Sequence, residues 1–189
     1  MQIKKNKKTP TIWQSINHGL TIKIERLMGL DLTKVISVKE LGLDKNLVVQ
    51  GSPSGNKFLK ELLQDLGISD KDRILDIGCS KGSAMRVMNK FPFERVDVLE
   101  LSEKLVEIAK SNFVKLHFKN TNVYNINATE FKGYNDYNFY YLYNPFPAVV
   151  MERVMQKINK QNRLNEVKYI IYNNPVCAEV ICKSGFKKN

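Results

Sequence analysis

The chain has 189 residues, 43% of them hydrophobic and 26% charged, and a formal net charge of +11. Those values fit one ordinary soluble globular domain that is long enough to bury a core. No stretch approaches the roughly 18 apolar residues of a membrane span. The basic N-terminus runs into Lys23, Glu25 and Arg26 instead of the apolar core of a secretory signal, so the expected location is cytoplasmic, without membrane contact.

The positive charge is concentrated at the ends. Lys4, Lys5, Lys7 and Lys8 lie in the N-terminal tail and Lys183, Lys187 and Lys188 at the C-terminus, which leaves about +4 for the body. Contact with nucleic acid through the two basic tails is therefore one expectation. The three cysteines, Cys79, Cys177 and Cys182, have no paired metal-ligand spacing. They predict a reduced protein with neither zinc nor disulfides.

In chain order, residues 11–30 place Ile12, Trp13, Ile16, Leu20, Ile24, Leu27 and Met28 at roughly helical spacing and predict one or two helices. VISVKELGL predicts a short strand and turn, and VVQGSPSG a loop. NKFLKELLQDLG predicts an amphipathic helix with Phe58, Leu59, Leu62, Leu63 and Leu66 inward and Gly67 closing it. From Asp72 the pattern alternates. RILDIG reads as a strand, SAMRVMNKF as a helix, RVDVLEL as a strand and SEKLVEIAKSNF as a helix capped by Ser102. A strand follows in the later half of KLHFKNTNVYNINA, and another at Tyr137–Tyr143. PAVVMERVMQKINKQN then reads as a helix and VKYIIYNN as a last strand. Strands and helices taking turns at this spacing predict an α/β fold: a doubly wound, Rossmann-like parallel sheet in three α/β/α layers, with ligands at the C-terminal strand ends.

The chemistry-bearing stretch is LDIGCSKGS, residues 75–83, between the first strand and the first helix of that alternation. Gly78 allows a sharp turn, Gly82 a close backbone approach, and Asp76 a hydrogen bond to a polar ligand group. A dinucleotide fingerprint counted from Gly78 needs glycines where Ser80 and Ser83 stand, which disfavours nicotinamide or flavin. Glu100 ends the second strand, where a carboxylate can accept from both hydroxyls of a ribose; a solvent-facing strand-end acid is the alternative.

With these residues in place, the chain resembles the class I S-adenosylmethionine-dependent methyltransferases. DIGCSKG is similar to their first motif, with Ser80 where the middle glycine is usual; a serine fits there if its backbone dihedrals are ordinary. The resemblance implies S-adenosylmethionine as cofactor, held by Asp76, Gly78, Cys79, Ser80, Gly82, Glu100 and Leu101. It also implies adenine contacts from Asn127 and Ala128, with Asn127 standing where an Asp is usual. Cys79, inside such a loop, is expected to be a small buried residue and not a nucleophile. A further likeness to a set of small bacterial methyltransferases spans residues 29–186 and makes Ser52 and Ser54 candidates for cofactor contacts. The domain organisation expected is a basic tail and helical extension over 1–50 and a methyltransferase-like domain over 51–189.

Asn144, Pro145, Phe146 and Pro147 stop the fourth strand, because two prolines cannot supply ladder donors. On its own the segment is as readily a turn former as a site. It resembles the Asn-Pro-Pro-Tyr/Phe motif of methyltransferases acting on nitrogen, with one proline missing. That resemblance implies that Asn144 and a neighbouring backbone carbonyl accept from a target amine, and that Phe146 packs on a planar acceptor. Neither His18 nor His117 sits in a motif for a general base, which suits nitrogen better than oxygen. The expected activity is therefore S-adenosylmethionine-dependent methyl transfer, with nitrogen slightly preferred. An O-methyltransferase and a non-catalytic binding module of the same fold are the alternatives. After the last strand only PVCAEVICKSGFKKN remains. The sheet is thus expected to be shortened at the C-terminus, with its fifth strand exposed and available for a homodimer.

Overall fold

A computed structural model describes residues 12–160 and 167–187. Lys4, Lys5, Lys7, Lys8 and Lys188 lie outside the described residues. The elements run α1 (Ile12–Leu27), α2 (Lys57–Asp65), β1 (Arg73–Ile77), α3 (Met85–Met88), β2 (Arg95–Glu100), α4 (Glu103–Lys115), β3 (Val123–Asn125), a 3-10 turn (Tyr134–Asp136), β4 (Phe139–Tyr143), α5 (Ala148–Lys160), β5 (Tyr169–Asn173) and α6 (Ala178–Lys183). The five strands form one sheet in the order β3-β2-β1-β4-β5, with every pair parallel.

Parallel strands covered on both faces must be apolar on both sides, and the strand sequences meet that demand. Leu75, Ile77, Leu99, Tyr140 and Leu142 join one core with Val150, Met151, Val154, Met155 and Ile158 of α5 and Ile181 of α6. Ile74, Val96, Val98, Phe139, Tyr141 and Ile171 join another with Leu59 and Leu63 of α2, Met85 and Met88 of α3, and Ala109 and Phe113 of α4. The three expected layers are therefore present, and β5 stands at an edge of the sheet.

Some local expectations are corrected. VISVKELGL forms turns and no strand, because its backbone N–H groups find local side-chain partners: Ser37 N–H donates to Glu40 and Val38 N–H to Gln50. The helix expected over SAMRVMNKF shrinks to Met85–Met88; the Asn89 amide donates to Met85 O, and Pro92 disfavours helix at Phe91. On α2 only Leu59 and Leu63 are buried, whereas Phe58 is 76% exposed and Leu62 and Leu66 face outward. On α1, Leu20, Ile24 and Leu27 are exposed, and among the residues whose burial is described the buried one is Glu25.

That buried glutamate positions the segment over the strand ends. It accepts from Leu32 N (3.2 Å), Thr33 N (2.9 Å) and Thr33 Oγ1 (2.7 Å), so it organises the chain leaving α1. Asp31 then pairs with the buried Lys81 at 2.6 Å, and the Asn112 side chain of α4 both accepts from Asp31 N and donates to Asp31 O and Lys81 O. The segment is thereby fixed to α4 and to the loop after β1.

The two faces of α2 give a direct check. Leu63→Ala, at a fully buried position, is expected to cost about 2–5 kcal/mol in urea unfolding. Phe58→Ala is expected to change stability by no more than about 0.5 kcal/mol.

Candidate functional site

β1 lies between β2 and β4, with Ile77 opposite both Leu99 and Leu142. The loops leaving these three strands meet at their C-terminal ends. Gly78 N and Cys79 N both donate to Leu99 O, at 2.9 and 3.1 Å, which turns the chain across the end of β2. Gly78 has φ +80°, and a Cβ there would lie 2.6 Å from Pro145 Cβ. Only glycine lets the β1 loop pass the end of β4 this closely.

Ser80 departs from its expectation. It does not have ordinary dihedrals but sits at φ +52°, in the left-handed region that explains why glycine is usual in motifs of this kind. The surrounding bonds hold it there: its N–H donates to Glu100 Oε2 at 2.9 Å. Glu100 Oε1 accepts from Ser102 N at 2.9 Å, and the Ser102 hydroxyl in turn caps α4. Burial pushes the Glu100 carboxyl above its usual range, and the backbone N–H groups of Ser102, Ser80 and Leu101 oppose that shift. A carboxylate has about four acceptor positions, so these three leave capacity for a ligand.

The cavity at this corner is lined by Gly78, Cys79, Ser80, Glu100, Leu101, Asn127, Ala128, Asn144 and Phe146, and is covered by residues 32–54, Ser52 and Ser54 included. Nine of the eleven expected site residues thus come together. Asp76 and Gly82 do not line it. Gly82 has φ +82°, and a Cβ there would meet the Phe113 ring at 2.2 Å, so its missing side chain admits α4 and not a ligand. Asp76 is 1% exposed and paired in register with Tyr141, which donates to Ser54 O at 3.2 Å. Its Oδ2 has no hydrogen-bond partner in the described structure. Burial, and secondarily the charge of Glu100, pushes the Asp76 carboxyl up to about 8.

Asn127 and Phe146 behave differently from expectation in detail, whereas Cys79 is buried as expected. Asn127 Oδ1 already accepts from Thr129 N (3.0 Å) and Thr129 Oγ1 (2.9 Å), an Asx turn that engages the acceptor expected to face adenine. Phe146 is buried within the α5 core, so little of its ring is free to stack. Cys79 is buried, and desolvation pushes its thiol well above the usual range, which removes it as a nucleophile. Asn144 has φ +46°, and its Oδ1 accepts from Tyr172 OH at 3.1 Å. The adjacent carbonyl, Pro145 O, accepts from Val49 N at 2.9 Å. No sequence signal marked Val49, since the contact joins segments almost a hundred residues apart.

No family model matches the chain. Over 168 residues it is 23% identical to the ribosomal RNA small subunit methyltransferase A of Malacoplasma penetrans, which covers 86% of this chain and 58% of that protein. The chain thus spans less than two thirds of its curated relative. Among solved structures, the precorrin 8w decarboxylase of Methanobacterium thermoautotrophicum superposes with a TM-score of 0.59 at 13% identity, covering 74% of this chain and 76% of that one. A SAM-dependent methyltransferase of Aquifex aeolicus superposes with a TM-score of 0.54 at 14% identity, covering 68% and 79%. The chain thus shares the fold of these solved structures. The corner built from the β1 loop, Glu100 and Asn144 lies where a doubly wound sheet places its ligands.

Two outcomes follow from this geometry. A carboxyl whose folded value is raised binds more protons folded than unfolded, so its stabilising contribution is complete below the unfolded value and is lost as pH rises through the folded one. Asp76→Asn is therefore expected to gain on the wild type in thermal melts from about pH 4 to about pH 8, and to gain no more above that. Gly82→Ala is expected to lower stability by more than the roughly 1 kcal/mol of left-handed strain alone, because the Phe113 ring must also move.

Proposed function

We propose that this protein is a methyltransferase that binds S-adenosylmethionine in the cavity and transfers its methyl group to a nitrogen of a nucleic-acid base. The observation that carries the cofactor part is Glu100: a buried carboxylate at the end of β2, oriented by the backbone N–H groups of Ser80, Leu101 and Ser102, and lining the cavity. The orphaned Asp76 Oδ2 near it does not line the cavity, so it would reach an ammonium group of the ligand through water, which would draw the carboxyl back to its ionised form. The acceptor set thus fits the cofactor's hydroxyls and amine.

When bound, the cofactor supplies a methyl group on a positively charged sulfonium, so the transfer depends mainly on in-line alignment with the acceptor. Glu100 holds the ribose hydroxyls, and residues 32–54 exclude water above them. Asn144 accepts from the N–H of the acceptor and directs its nitrogen lone pair into the cavity. No histidine lines the cavity among the described residues, which agrees with a nitrogen acceptor whose proton leaves to solvent after transfer.

Support for a nucleic-acid acceptor comes from the ribosomal RNA methyltransferase relative and from charge. Among the described residues lining the cavity, Lys34 and Arg153 are basic, and Glu100, turned inward, is the single acid. A positive rim suits a phosphate backbone. Calorimetry with S-adenosylhomocysteine is expected to show saturable binding that Glu100→Ala weakens by about 1–3 kcal/mol. Tritiated S-adenosylmethionine with in vitro transcribed small-subunit ribosomal RNA is expected to yield a base methylated on nitrogen after digestion to nucleosides. Absence of S-adenosylhomocysteine binding would refute the cofactor assignment. Binding without label in RNA would refute the acceptor and favour the non-catalytic module.

A further inference from the structure

Asn144 can serve an acceptor only if its amide is held the right way round, since its two ends, one donor and one acceptor, are nearly the same shape. The backbone offers limited help. The neighbouring Pro145 carbonyl already accepts from Val49 N, which places more of the orienting task on the side chain. Asn144 itself is half-buried at the end of β4 with φ +46°.

The group that meets the amide comes from β5. Tyr172 pairs in register with Leu142, two residues before Asn144, and its ring packs against the α5 core. Its oxygen accepts from Cys177 N at 3.2 Å, and its hydroxyl lies 3.1 Å from Asn144 Oδ1. The Cys177 amide can only donate, so it occupies a lone pair of the phenol; the Cys177 side chain also lies within reach of the hydroxyl, whose proton is directed at Asn144 Oδ1. Burial, the main cause, pushes the Tyr172 hydroxyl up to about 12, so that proton stays in place at neutral pH. The chain Cys177 N–H to Tyr172 O–H to Asn144 Oδ1 has one consistent direction. It turns Oδ1 toward Tyr172, occupies one of its lone pairs and leaves the other open.

We propose that Tyr172 is a positioning residue for methyl transfer: its hydroxyl fixes the Asn144 amide so that the remaining Oδ1 lone pair accepts from the N–H of the methyl acceptor. The role in turnover rests on the nitrogen-acceptor reading above. The orientation of Asn144 does not.

The test is Tyr172→Phe in the full chain, which keeps the ring and removes the hydroxyl. In a nitrogen-15 spectrum the side-chain amide of Asn144, identified by its loss in Asn144→Ala, is expected to shift or broaden in Tyr172→Phe without any acceptor present. With in vitro transcribed small-subunit ribosomal RNA, kcat is expected to fall about tenfold while S-adenosylhomocysteine affinity stays within about twofold, because no cofactor contact is lost. The double variant is expected to be no slower than Asn144→Ala, since both changes remove one function. An unmoved Asn144 amide overturns the proposal, whatever happens to RNA. So do multiplicative losses in the double variant, or a loss of S-adenosylhomocysteine binding equal to the loss of turnover, which is the mark of a merely structural tyrosine. Wild-type protein inactive on RNA, with the amide still responding to Tyr172→Phe, overturns the nucleic-acid reading and leaves the positioning in place.

Discussion

β1 is hydrogen-bonded on both sides to parallel strands, and the rest of the molecule follows from that constraint. The chain leaves β1 toward β2 and β3 on one side of the sheet and returns to β4 and β5 on the other. The loops after β1, β2 and β4 must therefore diverge from one corner, and a crevice opens between them. Closing that corner tightly requires Gly78 against Pro145 and Gly82 against Phe113, both with positive φ. The glycines of the loop answer first to protein packing, and the ligand surface is what remains once that packing is satisfied.

Electrostatics at the corner is organised by burial. Asp76 and Glu100 are both removed from water, yet they are treated differently. Glu100 is compensated by the N–H groups of Ser80 and Ser102, whereas one Asp76 oxygen is left without a partner. A buried carboxyl without compensation keeps its proton to unusually high pH, and a positively charged ligand group nearby would release it. In the proposed function the two acids serve different parts of one ligand, one its hydroxyls and one its cation. The left-handed backbone at Ser80 is held in place by the same bond that orients Glu100.

The cover over the corner is anchored by polar contacts as well as by the buried Leu30, Leu32 and Val38. Glu25, Asp31, Lys81 and Asn112 fix the chain after α1, and Val49 N binds the Pro145 carbonyl at the far end. Over the part of α1 whose side chains are described, Leu20, Ile24 and Leu27 are exposed and Glu25 is buried. Residues 32–54 are thereby joined through Val49 to the end of β4, where Asn144 and its Tyr172 partner sit.

The alternation from Arg73 onward determined the wound parallel sheet, because strands buried on both faces must be apolar throughout and the connecting helices amphipathic. It also brought most of the expected site residues into view, since glycines after a first strand permit close approach, by packed protein or by a ligand, and an acid after a second can accept from a ligand's hydroxyls. Sequence could not decide which face of α2 is buried, because Phe58 and Leu63 are equally apolar and only the packed sheet distinguishes them. Nor could it show that Asn127 spends its acceptor on Thr129, or that Gly82 makes room for α4. The bonds of Val49 to Pro145 and Tyr172 to Asn144 were invisible for the same reason: they are single polar contacts between segments distant in the chain, with no periodicity to announce them. Local pattern specifies elements and strand-end chemistry; only the fold decides which polar atoms are still free when a ligand arrives.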